Sequence, residues 1–188
     1  MMDDEQISTL NSEISLYGKK VVKKLKQNWP ECNYNLYKRY SELHPYVVKV
    51  TKWIGNKEIK MERLNVELTF SDLFDFGRQP LHPGVTKERV YRAIMFYQTL
   101  QNDFLKFSFD EMPKIPQKNV AIPGKYFYHH DLNLTNLVFN TDDYIKLIDP
   151  NAFSISNTFV NTSYVVNLNN IMWKANFTLQ RLENVQIF

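Results

Sequence analysis

One stretch carries the chemistry open to this sequence. In FYHHDLNLTNLVFNTDDYIKLID, residues 127–149, an apolar run delivers His129, His130 and Asp131, Asn136 follows five residues after the aspartate, and Asp149 closes the segment. LVFN and YIKLID flank a turn at Thr141-Asp142-Asp143, so a short hairpin folds Asp149 back beside Asn136. Two carboxylates and one amide then converge at a loop mouth. Phosphoryl transfer needs this set. One carboxylate orients an attacking hydroxyl and accepts its proton, while the amide and the second carboxylate hold a magnesium ion that bridges phosphate oxygens. Magnesium keeps several of its waters, so one Asp and one Asn suffice.

Plainer readings stand beside this one. Adjacent His129 and His130 with nearby acids fit a metal site, but no further His or Cys lies in range. Asp142-Asp143 reads as a polar hairpin turn rather than a ligand pair. Trp53, Tyr126, Phe127 and Tyr128 read as core rather than as stacking platforms.

The elements that must position these residues follow from apolar spacing. Residues 86–107 give the strongest helix, with Val90, Ile94, Tyr97, Leu100, Phe104 and Phe107 along one stripe. Pro30 suits a first helical turn, and WPECNYNLYKRYSEL predicts a helix as far as Leu43. On it Glu31, Asn35, Lys38 and Glu42 form a polar stripe opposite Leu36, Tyr40 and Leu43. YVVKVTKWI (46–54) and EIKMERL (58–64) predict two strands about a turn at Gly55-Asn56. Asp72 to Phe76 predicts a short helix and 164–182 a last one, while Pro113, Pro116 and Pro123 mark the loop that leads into the chemistry-bearing segment. In residues 4–16, Ile7, Leu10 and Ile14 at spacings of three and four predict an amphipathic helix. That pattern runs on through Tyr17, Val21, Leu25 and Trp29, but Gly18 interrupts it. The competing reading starts a strand after Gly18, with Val21, Lys23 and Leu25 on one face and Lys20, Val22 and Lys24 on the other.

Composition frames the rest. The 188 residues are 44% hydrophobic and 23% charged, enough to bury a core in one domain or in two small lobes sharing a hinge. A net charge of +3 argues against a dedicated nucleic-acid binder; the local cluster of Lys19, Lys20, Lys23, Lys24 and Lys26 reads as a solvated face, with a phosphate or acidic-partner site as the other reading. Cys32 is the only cysteine, so no intrachain disulfide forms. The start MMDDEQISTLNSE lacks the basic and apolar regions of a signal peptide, and no apolar run is long enough to span a membrane, so a reducing, cytoplasmic setting is expected. Abundant Asn, Lys, Ile, Tyr and Phe with scarce Ala point to an AT-rich genome, as many viruses have, and then to the host cytoplasm.

The run His129-His130-Asp131-Leu132-Asn133-Leu134-Thr135-Asn136 resembles the catalytic loop H-R-D-L-x-x-x-N of protein kinases. Ile148-Asp149-Pro150 sits where kinases carry D-F-G, thirteen residues after Asn136, a step typical of that superfamily. The following IDPNAF is similar to phage-encoded kinases and some small-molecule kinases. By resemblance Asp131 is the catalytic base, Asn136 a metal ligand, Asp149 the main metal ligand, and His129 the loop's structural histidine. Upstream, HPYVVKVTKWIGNKEIKMERL resembles the stretch from a kinase's regulatory helix to its hinge. This implies that Met61 lies near the gatekeeper position and that the backbone of Glu62, Arg63 and Leu64 meets adenine. GKKVVKKL resembles the strand that bears the ATP-anchoring lysine, which makes Lys23 its equivalent and favours the strand reading after Gly18.

The resemblance implies an α+β, bilobal protein-kinase-like fold. Residues 1–64 would form an N-lobe with a truncated β-sheet of about three strands, and residues 65–188 a short, mainly helical C-lobe with the catalytic loop. It implies ATP and Mg2+ as cofactors and transfer of the γ-phosphate to a protein hydroxyl. The alternatives are a small-molecule kinase of the aminoglycoside or choline type, or a pseudokinase-like module that binds or inhibits a partner protein. Departures from the pattern are specific. No G-x-G-x-x-G occurs, and the residues before Gly18 are too few for two strands with a loop over phosphates. Asn133 replaces the usual lysine, and no A-P-E motif follows. The lysine's glutamate partner would have to be Glu31 or Glu42, or none.

Overall fold

A computed structural model describes residues 5–9, 12–75, 80–115, 125–157 and 161–185, without the side chains of residues 5, 161–168 and 185. Five short strands and a helix open the chain: β1 (Glu5–Ser8), β2 (Ser12–Tyr17), β3 (Lys20–Leu25), α1 (Glu31–Leu43), β4 (Val50–Ile54) and β5 (Glu58–Glu62). They form one antiparallel sheet in the order β1-β2-β3-β5-β4. The helix expected over residues 4–16 is therefore a hairpin, and the sheet has five strands where the sequence implied about three. The cause lies in the register. Ile7 faces Ile14 across the β1–β2 pair, so a seven-residue apolar spacing that fits two helical turns here joins cross-strand partners. Leu10 lies outside the described residues. Thr9 and Ser12 close the turn through Thr9 N–H to Ser12 O at 2.8 Å and paired hydroxyls at 3.0 Å. The reduction in this lobe lies in the connection, only residues 9–11, and not in the strand count.

The strand reading after Gly18 holds. Gly18 takes φ +52° in the β2–β3 turn, a conformation open to a residue without Cβ. On β3 the buried residues are Lys23 and Leu25, while Lys20 and Lys24 are exposed, as the alternation of a strand requires. In α1 the inward residues are Leu36, Tyr37 and Tyr40; Leu43 is 42% exposed, so the buried stripe lies one residue away from the expected one at that end. Tyr37 explains the shift. Its hydroxyl donates to Val48 O and accepts from Val50 N–H at 3.1 Å, which ties α1 to the entry of β4, and burial pushes its phenol well up.

The rest of the chain contains β6 (Val66–Thr69), α2 (Phe70–Leu73), α3 (Lys87–Asp110), β7 (Tyr126–His129), β8 (Leu137–Asn140), β9 (Ile145–Leu147), β10 (Phe153–Ser156) and α4 (Asn161–Val185). The expected α3 stripe is buried at all its positions. The helix expected at Asp72–Phe76 begins and ends earlier, because Thr69 caps it in a capping box with Asp72; Phe76 lies outside the described residues. Pro113 sits in a single 3-10 turn at Met112–Lys114, and Pro116 and Pro123 lie outside the described residues. All four residues of β8 are buried, since it is the middle strand between β6 and β9. β10 pairs antiparallel with β7, setting Phe153 opposite His129. Beneath these strands the rings of Tyr40, Phe104, Phe107, Phe127 and Phe153 pack at centroid separations of 4.9–6.4 Å. No helix among the described residues is long and apolar enough to cross a membrane.

Candidate active site

β7 brings the loop of residues 130–136 to the aromatic core, and alternation buries Phe127 and His129 while leaving Tyr126 and Tyr128 half-buried. His129 is 2% exposed and meets Phe153 edge-on at 5.0 Å. Its Nε2–H donates to the carbonyls of Ile148 at 3.0 Å and Asp149 at 3.2 Å. Carbonyls only accept, so the proton sits on Nε2, and the buried Nδ1 has no partner among the described residues. Burial pushes the imidazole down to about 4, against the upward pull of Asp149 and the Ile148 carbonyl. A neutral ring thus pins the Asp149 backbone to the base of the loop.

Past His129 the chain turns sharply around Asp131. Asn136 Nδ2 donates to Asp131 O at 2.8 Å and to Asp131 Oδ2 at 3.2 Å, and Asn133 Nδ2 donates to Asp131 Oδ1 at 2.9 Å. Asn133 Oδ1 accepts the backbone N–H groups of Thr135 at 2.9 Å and Asn136 at 3.1 Å. Both Asp131 oxygens are thus held by amides, and its side chain remains exposed. Sequence reasoning treated Asn133 only as a missing positive charge. In the fold it is the brace of the loop, and the signal was the Asx turn that Asn favours when N–H groups follow two and three residues on.

The β8–β9 hairpin returns the chain to this loop, with Ile148 N–H donating to Asn136 O at 2.9 Å. Asp149 then adopts φ +64° and ψ +64°, left-handed geometry that Asp tolerates better than most residues. Its carboxylate forms an ion pair with Lys23, which β3 delivers from mid-sheet between Ile14 and Ile59. Lys23 is 7% exposed. Its carboxylate partner is therefore Asp149 and not an acid of α1: Glu42 pairs with Arg39 at 3.6 Å, and Glu31 is exposed.

Glu62 ends β5, and its carboxylate accepts Lys49 N–H at 2.9 Å and meets Lys146 Nζ at 3.8 Å. Arg63 N–H is spent on Lys19 O at 3.1 Å, while Leu64 N–H has no hydrogen bond among the described residues. Met61 is buried one residue before Glu62. Lys23 and Asp149 thus meet directly, Asp131 and Asn136 meet directly, and the Asn136–Ile148 bond joins the two pairs. Glu62, Arg63 and Leu64 contact none of these four in the hydrogen bonds and ion pairs of the described residues.

The donor set suits a hard dication. Asn136 spends its amide nitrogen on Asp131, leaving Oδ1 without a partner among the described residues, and the second carboxylate oxygen of Asp149 likewise has none. Carboxylate and amide oxygens on adjoining elements are magnesium-type ligands.

No family model and no curated protein matches the chain. Solved structures do. The kinase PK-1 of Cydia pomonella granulovirus aligns at TM-score 0.50 and 16% identity, over 80% of this chain and 53% of its own. A choline/ethanolamine kinase family protein from Mesorhizobium loti aligns at TM-score 0.52 and 13% identity, over 93% of this chain and 69% of its own. The chain spans about half the length of the viral kinase. At such identities the likeness speaks to architecture: the chain has an α+β, bilobal, protein-kinase-like fold.

Proposed function

We propose that the chain is an ATP- and Mg2+-dependent phosphotransferase that moves the γ-phosphate to a protein hydroxyl. The observation that carries this reading is the joining of Asp131–Asn136 to Asp149–Lys23 through one backbone bond, Ile148 N–H to Asn136 O. Asp131 takes the proton of the acceptor hydroxyl as its oxygen bonds to the γ-phosphorus and the β–γ bridging oxygen leaves with ADP. Asn136 and Asp149 hold magnesium, which when bound neutralises charge on the phosphates. Lys23 gives up Asp149 as a partner for the phosphate oxygens, and the N–H of Leu64, unbonded among the described residues, meets the adenine edge beside Glu62 and Arg63. The boundary near residue 64 separates the nucleotide-binding sheet from the catalytic lobe. Labelled ATP with magnesium, supplied to the purified protein alone and in a cell lysate, tests the reading through label on protein. Label released only as inorganic phosphate would contradict it.

A second reading, a kinase-shaped module that binds a partner without transfer, is favoured by one observation. The three-residue β1–β2 connection offers no row of glycine N–H groups to phosphates. Complete loss of function in Asp131→Asn separates the two readings, because a module that only binds does not need that carboxylate.

A further inference from the structure

A cavity of about 230 Å³ opens between the β3–α1 connection and the segment that follows Asp149. Its polar wall is Gln27, Asn28 and Asn33 on one side and His130, Asn151 and Ser154 on the other. Leu25, Trp29 and Pro30 supply the apolar part. No Lys, Arg, Asp or Glu lines it among the described residues, so the wall carries no fixed charge. Asn151 Oδ1 is buried and has no hydrogen-bond partner among the described residues, although a buried amide oxygen ordinarily has one. Trp29 Nε1–H donates to Phe153 O at 3.3 Å and ties the two walls together. Each wall also continues into the candidate active site. Leu25 stands two residues after Lys23, His130 one before Asp131, and Asn151 two after Asp149.

We propose that this cavity binds a neutral polyol of about monosaccharide size. The wall chooses the class. A phosphate or carboxylate finds no lysine or arginine here, and an ammonium finds no carboxylate, so a charged ligand would lose water without gaining a partner charge. A hydroxyl donates and accepts at once, which is what an amide with its oxygen and NH2 side by side can use, and four of the six polar wall residues are amides. One hydroxyl donates to Asn151 Oδ1, and the C–H surface of the polyol lies against Leu25 and Pro30. The volume falls below the ~300 Å³ at which pockets for drug-sized ligands begin, so a nucleotide does not fit in it. The proposal is independent of the phosphotransferase reading. A ligand held by both walls opposes their separation, and thereby steadies the segments that carry Lys23, Asp131 and Asp149.

The test is saturation-transfer NMR on the full chain. Glucose and myo-inositol are the neutral probes; glucosamine and glucuronate are their charged counterparts. At least one neutral probe binds saturably in the millimolar range, and both charged probes bind more weakly. Asn33→Leu removes an amide while keeping a good helix former in α1, and weakens the neutral probe roughly tenfold, the range for one or two lost hydrogen bonds. Asn151→Asp places a carboxylate on the wall and reverses the order of the neutral probe and glucosamine. The bound probe also slows hydrogen exchange at the Trp29 indole N–H severalfold, because the walls must part to release it. Thermal melts check that each variant folds, and Ser154→Ala substitutes if Asn33→Leu does not. No saturable binding of either neutral probe, equal binding of the charged ones, or unchanged binding in the wall variant would overturn the proposal. So would acetamide binding more tightly than both polyols, because the cavity then takes a peptide amide.

Discussion

At the scale of single residues, Asp149 and His129 carry more than their motif positions imply. Asp149 is the partner of a nearly buried lysine, so Asp149→Asn leaves the Lys23 ammonium beside an amide. The left-handed backbone accepts Asn without strain, and the loss is electrostatic, about 1–3 kcal/mol in urea denaturation after allowing for the partial exposure of the pair. Magnesium-dependent ATP binding falls in the same variant, which calorimetry reads directly. His129 makes a pH prediction. Its folded value of about 4 lies below the ordinary 6.5, so the unfolded chain binds the extra proton first. Stability from this group is full above about pH 6.5 and is lost as pH falls toward 4, on the order of 3 kcal/mol across that window. Denaturation midpoints in metal-free buffer between pH 7 and 4 measure it, and His129→Gln should flatten the slope.

At the scale of elements, the hairpin that carries Asp149 is fixed at its tip as well as at its base. Asp143, at φ +63°, pairs with Arg89 at 2.8 Å and with Arg92, both from α3, and both guanidinium groups lie 5.3 Å from the Phe139 ring. Burial works against the ionised Asp143 carboxyl, but the two arginines hold it below its usual range. Asp143→Asn preserves the turn and removes the charge, and should cost about 1 kcal/mol, less in high salt, because the carboxylate is half exposed. Asp142→Asn, one residue earlier and exposed, should change nothing. The sequence showed two equivalent turn acids; only the packing of α3 distinguishes them. The same contrast runs through the fold. The α3 stripe and the β8–β9 hairpin were legible because their periodicity repeats over many residues or is punctuated by a clear turn. β6 and β10 were not, since VELT and FSIS are four-residue strands whose partners lie at least 69 and 24 residues away, respectively. The β1–β2 hairpin was misread because Ile7 and Ile14 satisfy a helical and a hairpin spacing alike. The return of Asp149 to the side of Asn136 was legible through the hairpin spacing, and the inward face of Lys23 through strand phase, but the Lys23–Asp149 pair was not. The role of Asn133 was not, because it depends on the turn it makes.

At the scale of the whole molecule, a five-stranded sheet delivers one lysine to Asp149 at the end of the β8–β9 hairpin, and an aromatic core lies under β7 and β10. With no glycine among residues 9–11, the β1–β2 connection would give ATP phosphates no glycine-rich set of backbone donors. ATP should therefore bind in the range of hundreds of micromolar, about −5 kcal/mol, in calorimetry at millimolar magnesium. Chelating the metal should abolish that heat, since Lys23 then returns to Asp149. The central claim is that Asp131 removes a proton from an acceptor hydroxyl while Asp149 and Asn136 serve the nucleotide. The most direct measurement compares label transfer from ATP by the wild-type chain and by Asp131→Asn, with ATP affinity measured on the same samples. The predicted result is transfer slowed by roughly 10²- to 10⁴-fold, the scale of a lost general base, at unchanged ATP affinity. Transfer at the wild-type rate in Asp131→Asn, with ATP still bound, would contradict the account.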